Sequence, residues 1–89
     1  MQKEEYKVLL LPSAQRDLDD IKDKKTLAKI KAGLLVLKSD SRPRGCNKLL
    51  SQQDAYRIRF GNYRCCYRID DTAKSIFVYR IKHRKEVYR

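Results

Sequence analysis

Apolar and polar positions alternate along Tyr56-Arg57-Ile58-Arg59-Phe60, and the alternation resumes after Gly61-Asn62 from Tyr63 through Asp70. A period of two belongs to a strand with one dry face and one wet face, and a two-residue Gly-Asn loop joins two such strands into an antiparallel hairpin. The pattern turns Tyr56, Ile58, Phe60, Tyr63, Cys65, Tyr67 and Ile69 toward a core and gathers Arg57, Arg59, Arg64 and Arg68 on the other side. A third strand is expected from Ser75 to Lys82, after the Asp71-Thr72-Ala73 turn. Both of its alternating sets are apolar, Ile76 and Val78 against Phe77, Tyr79 and Ile81, so it should sit centrally with both faces covered.

Upstream, Tyr6 to Leu11 is rich in strand formers and stops at Pro12. Ser13 is placed to cap a short helix over residues 13–22, with Asp17, Asp19 and Asp20 near its positive end and Ala14, Leu18 and Ile21 on one face. Asp23 then caps a second helix in which Leu27, Ile30, Leu34 and Leu37 form an apolar stripe, opposite a solvated face of Lys24, Lys25, Lys29 and Lys31. Residues 39–45 (SDSRPRG) read as a loop. The expected order is β-α-α-β-β-β: an α+β fold, two N-terminal helices packed on a twisted, mostly antiparallel sheet, in a single domain over residues 1–89.

Charge adds direction to this outline. The net charge is +11, and residues 57–89 carry ten Lys or Arg against three acids. Such an imbalance asks for an anionic partner: RNA, DNA, a membrane surface or an acidic protein. A membrane span needs about 20 apolar residues and no such run exists, while MQKEEYKVLLLP lacks the basic and apolar regions of a signal peptide, so a cytoplasmic location is expected. Cys46, Cys65 and Cys66 are odd in number and fit neither a disulfide framework nor a zinc motif; reduced thiols and no metal site are expected.

No nucleophile triad, paired carboxylates or Gly-rich phosphate loop is present, and no cofactor is expected. His83, set in KHRKEVY, is the only histidine, and a neutral imidazole can take or give a proton near pH 7. Cutting RNA without a metal requires a base for the 2′-hydroxyl, cations on the phosphate and a proton donor for the leaving 5′-oxygen. Arg57, Arg59, Arg64 and Arg84 are candidates for the cations, and Tyr88 for stacking on a base or hydrogen bonding in the site.

In YRIRFGNYR, CCYRIDD and IKHRKEVY the chain resembles the RelE/ParE toxin superfamily of toxin–antitoxin systems, and its RelE branch in particular. The resemblance implies a ribosome-dependent endoribonuclease that enters the A site and cuts messenger RNA without a metal, leaving 2′,3′-cyclic phosphate and 5′-hydroxyl ends and stopping translation. It implies as partners a small acidic RelB-like antitoxin, the ribosome and its message, and operator DNA only through the antitoxin complex; no membrane is involved. Carried over by position, Arg57 and Arg59 stand where RelE enzymes have lysines, Arg64 follows the turn, His83 or Arg84 takes the tail catalytic position, and Tyr88 is the tail tyrosine. Arginine stays protonated, which leaves His83 as the better proton-transfer group, or else slow chemistry driven by positioning and charge. Arg42, Arg44, Lys48, Arg68, Lys82 and Lys85 are expected to contact RNA. The alternative is a ParE-like inhibitor of DNA gyrase with no nuclease activity.

Overall fold

The hairpin read from the alternation is present: β3 (Ala55–Phe60) and β4 (Tyr63–Asp70) run antiparallel, with Phe60 opposite Tyr63 and Ala55 opposite Arg68. These coordinates are a computed structural model, which describes residues 5–49 and 54–83. Gly61 holds a φ of +64° in the two-residue loop, the glycine-first arrangement of a type II′ turn whose twist suits a hairpin. The remaining elements are β1 (Lys7–Leu10), α1 (Pro12–Asp19), α2 (Lys24–Ser39), β2 (Asn47–Lys48) and β5 (Ser75–His83). The sheet order is β1-β5-β4-β3-β2, with β1 and β5 parallel and every other neighbouring pair antiparallel. This is the expected α+β architecture with one addition, since two residues of β2 carry no period that a sequence could display.

One face of the sheet lies under the helices. Ala14, Leu18, Ile30, Leu34 and Leu37 pack there on Tyr56, Ile58, Cys65, Tyr67, Ile69, Ile76, Val78 and Ile81. A bulge accounts for part of the double apolar set of β5: Tyr67 faces Val78 and Cys66 faces Arg80, which leaves Tyr79 as an extra residue, while Phe77 stays opposite Arg68 on the open face. The insertion shifts parity by one, so Ile81 joins Ile76 and Val78 in the core instead of siding with Phe77 and Tyr79. By the same shift Arg80 and Lys82 come out on the helix-free face.

The first helix departs from expectation at its start. Leu11 is the N-cap and Pro12 occupies the first turn, where its missing N–H costs nothing. Ser13 is inside the helix and donates its hydroxyl to the carbonyl of Tyr79 at 2.7 Å. One turn later Asp17 accepts the backbone N–H of Ile81 at 2.9 Å. Both groups belong to the outer edge of β5 beyond the end of β1, where among the described residues no strand continues the ladder. Satisfying a buried sheet edge outranks capping a helix whose first residue is proline. The expected acidic first turn is likewise corrected: it holds no acid, and Asp19 and Asp20 fall at the C-terminal end.

In α2 the expected apolar stripe and N-cap position are present, without a capping bond from the Asp23 side chain to a backbone N–H. Asp23 is the N-cap, and its carboxylate accepts the Thr26 hydroxyl at 2.5 Å, a bond that keeps the acid below its usual range. Gly33 sits against the Phe60 ring so closely that a Cβ there would press into it. Gly33→Ala gains helix propensity but must displace that ring. A net loss of about 1–2 kcal/mol is expected in urea unfolding.

Candidate nucleic-acid interface

Strand register fixes which cations meet on the helix-free face. Arg59 is directly opposite Arg64, and Arg64 is directly opposite Lys82, so one row across β3, β4 and β5 is cationic at all three positions. The next row runs Asn47, Arg57, Cys66, Arg80. Strands lie about 4.8 Å apart, which brings these side chains within reach of a single phosphodiester and its neighbour. Gly45 and Asn47 join Arg57, Arg59 and Arg64 in lining a shallow cleft of about 230 Å³.

Like charges directly opposite on a sheet are destabilising, by roughly 0.2–1 kcal/mol a pair. The row thus gathers like charge on one face, offset at its β5 end by Asp17, 3.5 Å from Lys82. Cys66 reports the convergence: burial raises its thiol pKa, while Arg57, Arg64 and Arg80 each pull it down. Asp17, only 9% exposed, holds Arg80 at 3.0 Å and Lys82 at 3.5 Å, anchoring the β5 side of the cluster to α1. Arg59 is oriented in part by donating its Nε–H to the Gly61 carbonyl at 3.3 Å.

Of the residues expected in the catalytic group, Arg57, Arg59 and Arg64 are together, and Arg84 and Tyr88 lie outside the described residues. His83 is not with them. Its register partner is Tyr63, its ring meets Tyr63 edge-on at 5.2 Å and 87°, and it lies on the helix side of the sheet near Lys29 and Phe60. The bulge is the reason, because it sets the parity of β5 from residue 80 onward.

The expected RNA contacts divide similarly. Lys82 belongs to the cationic row and Arg44 is exposed beside Gly45, but Lys48 pairs with Tyr56 and so takes the helix-side parity. Arg68 is on the open face at the far end of β4, where Asp54, Asp70 and Asp71 line the same hollow. Lys85 lies outside the described residues. Arg80 and Asp17 are the site residues missed by the sequence. A carboxylate one helical turn after Ser13, with no apolar role, was the available signal for Asp17.

Arg42 is committed elsewhere. It pairs with Asp71 at 2.9 Å, donates its Nε–H to the Tyr56 hydroxyl at 3.0 Å and lies over the Tyr56 ring. Tyr6 completes the group by donating its hydroxyl to Asp71 at 2.6 Å. The latch ties the loop after α2 to the β4–β5 turn, and the Arg42 and Tyr6 bonds hold the Asp71 carboxyl down to about 2 from its ordinary 3.8. A depressed acid contributes above its unfolded pKa and ceases to contribute as pH falls through the folded one. Asp71→Asn should therefore be less stable than the parent at pH 5, and unfolding curves should show the gap closing as pH drops from about 4 to 2.

Two helices on one face of a five-stranded, mostly antiparallel sheet is the fold that this chain shares with RelE toxin structures. The model of the ParE toxin of type II toxin–antitoxin systems matches residues 8–88, and the chain belongs to that family. The fold is similar to RelE in the archaeal RelE-RelB complex from Pyrococcus horikoshii, with a TM-score of 0.78 and 25% identity over 89% of this chain and 94% of that one. It is also similar to the toxin-antitoxin complex RelBE2 from Mycobacterium tuberculosis, with a TM-score of 0.76 and 29% identity over 90% and 99%. The isolated E. coli RelE toxin shares the fold at a TM-score of 0.77 and 24% identity over 93% and 90%. No curated protein matches the sequence significantly. Among the described residues no helix is long and apolar enough to cross a membrane.

Proposed function

We propose that the protein is a ribosome-dependent endoribonuclease toxin that cuts messenger RNA in the A site. The observation that carries this reading is the Arg59–Arg64–Lys82 row, backed by Arg57 and Arg80. In the reaction the 2′-oxygen attacks phosphorus and loses its proton, the bond to the 5′-oxygen breaks, and that oxygen gains a proton. The products are a 2′,3′-cyclic phosphate and a 5′-hydroxyl. Negative charge grows on the non-bridging oxygens, where guanidinium donors act most strongly. With His83 turned to the other face, the described part of the site supplies charge stabilisation and not a histidine base. Ribosomal positioning of the message in attack geometry then accounts for much of the rate, which explains why free RNA would be a poor substrate.

The partner is a small acidic antitoxin of the RelB kind; the similar structures from P. horikoshii and M. tuberculosis are themselves toxin–antitoxin complexes. An apolar hollow beside β1, formed with Leu10, Leu18, Leu27 and Leu34 and edged by three lysines (Lys7, Lys31, Lys38) and two acids (Glu5, Asp19), suits the apolar side of an amphipathic segment. Operator DNA would be bound through the antitoxin, and the setting is cytoplasmic.

A second reading has its own support. The matching family model is that of ParE, and the absence of His83 from the cationic face suits a ParE-like gyrase inhibitor that does no chemistry. Inducing the protein in cells, mapping messenger 5′ ends and scoring the SOS response separates the two. Cuts within translated codons are expected; SOS induction with intact messages would establish the gyrase reading instead.

A further inference from the structure

We propose that the pocket on the helix side of the β3–β4 turn is a nucleobase subsite, which takes the base of a nucleotide adjacent to the one whose phosphate rests on the cationic row. This rests on the RNA reading of that row. The pocket encloses about 360 Å³ and is lined by Thr26, Lys29, Phe60, Asn62, Tyr63 and His83, with Gly61 at its rim. Its volume is at the small end of the ligand-pocket range, suited to one planar ring system and not to a folded partner segment.

Three features give the pocket its chemistry. Tyr63 and His83 are both half-buried and meet edge-on, so the two rings form a fixed aromatic wall instead of mobile surface groups. Aromatic walls accept any base, because every base has a π-face. Asn62 carries both a donor and an acceptor, which the edge of an unstacked base can use. Lys29 adds a cation and lies against the turn, where its Cδ comes within 3.4 Å of the position a Cβ on Gly61 would take.

Position ties the pocket to the cationic row. Tyr63 precedes Arg64 on β4, and His83 follows Lys82 on β5, so the wall and the row occupy the same end of the sheet on opposite faces. Gly61 separates them without a side chain. A single strand crossing the turn there sets a phosphate on one face and the next base on the other. His83, expected to act on protons, is thereby given a stacking role in place of a catalytic one.

The test is NMR titration of the whole protein with AMP and, separately, with ribose 5-phosphate, followed by a short deoxy-substituted RNA that resists cleavage. AMP should move the ring signals of Tyr63 and His83 in a saturable way, while ribose 5-phosphate should leave them nearly unmoved. Tyr63→Leu should weaken AMP binding by about tenfold, and Tyr63→Phe should restore it. Lys29→Glu, a change at an exposed position that leaves the rings intact, should also weaken it. Equal shifts from ribose 5-phosphate would reduce the pocket to an anion contact and overturn the proposal. If the oligonucleotide moves Arg59 and Arg64 but not Tyr63 or His83, the subsite is wrong and the RNA reading stands. Silence from both faces removes both.

Discussion

Replacing Asp17 with alanine is expected to lower the unfolding free energy by about 2–3 kcal/mol, the loss that follows when a buried donor and a charged hydrogen bond go unsatisfied together. The carboxylate accepts the N–H of Ile81, a residue 2% exposed, at a sheet edge with no strand beyond it among the described residues, and it also meets Arg80 at 3.0 Å. The Arg80 contact is partly solvated and adds little by itself. Asp17→Asn keeps an acceptor for Ile81 and should lose less than half as much, which separates the edge bond from the charge. Urea unfolding of the three proteins measures it. A change below about 0.5 kcal/mol in Asp17→Ala would mean that the edge of β5 is satisfied by water. A domain of 89 residues has a small core, so the larger loss would be conspicuous.

Asp17 also shows where the sequence stops being readable. Alternation around Arg57, Arg59 and Arg64 was sufficient to place those residues on one face, because the period of a strand is local and the Gly61-Asn62 loop sets the register. The stripe of α2 was legible for the same reason. The bulge at Tyr79 was not: it arises from how β5 fits β4, a non-local property, and it decides on which side Ile81, Lys82 and His83 emerge. Reading β5 as unbroken put Ile81 with Phe77 and left His83 free to join the arginines. Ser13 and Asp17 were likewise given local roles in capping and dipole compensation, whereas their partners are 66 and 64 residues away. Arg42 was counted as one more loop cation because Asp71, its partner, is 29 residues distant.

The largest effect is expected at Arg64, which sits between Arg59 and Lys82 in the cationic row. Arg64→Ala should reduce messenger cutting by about 100-fold or more, the consequence of removing a fixed donor worth about 2.7–4 kcal/mol at developing charge. Arg59→Glu makes the sharper comparison. It should abolish cutting as well, yet it places opposite charges face to face across β3 and β4, so stability should be unchanged or rise by about 0.2–1 kcal/mol. Opposite signs in the two measurements identify a residue whose charge opposes the fold and serves a ligand. A structural arginine would lose stability and activity together, and an idle one would change neither. The pair of measurements, 5′-end mapping in cells and denaturant unfolding of purified protein, therefore tests whether the positive charge of this row serves an anionic ligand at the expense of the fold.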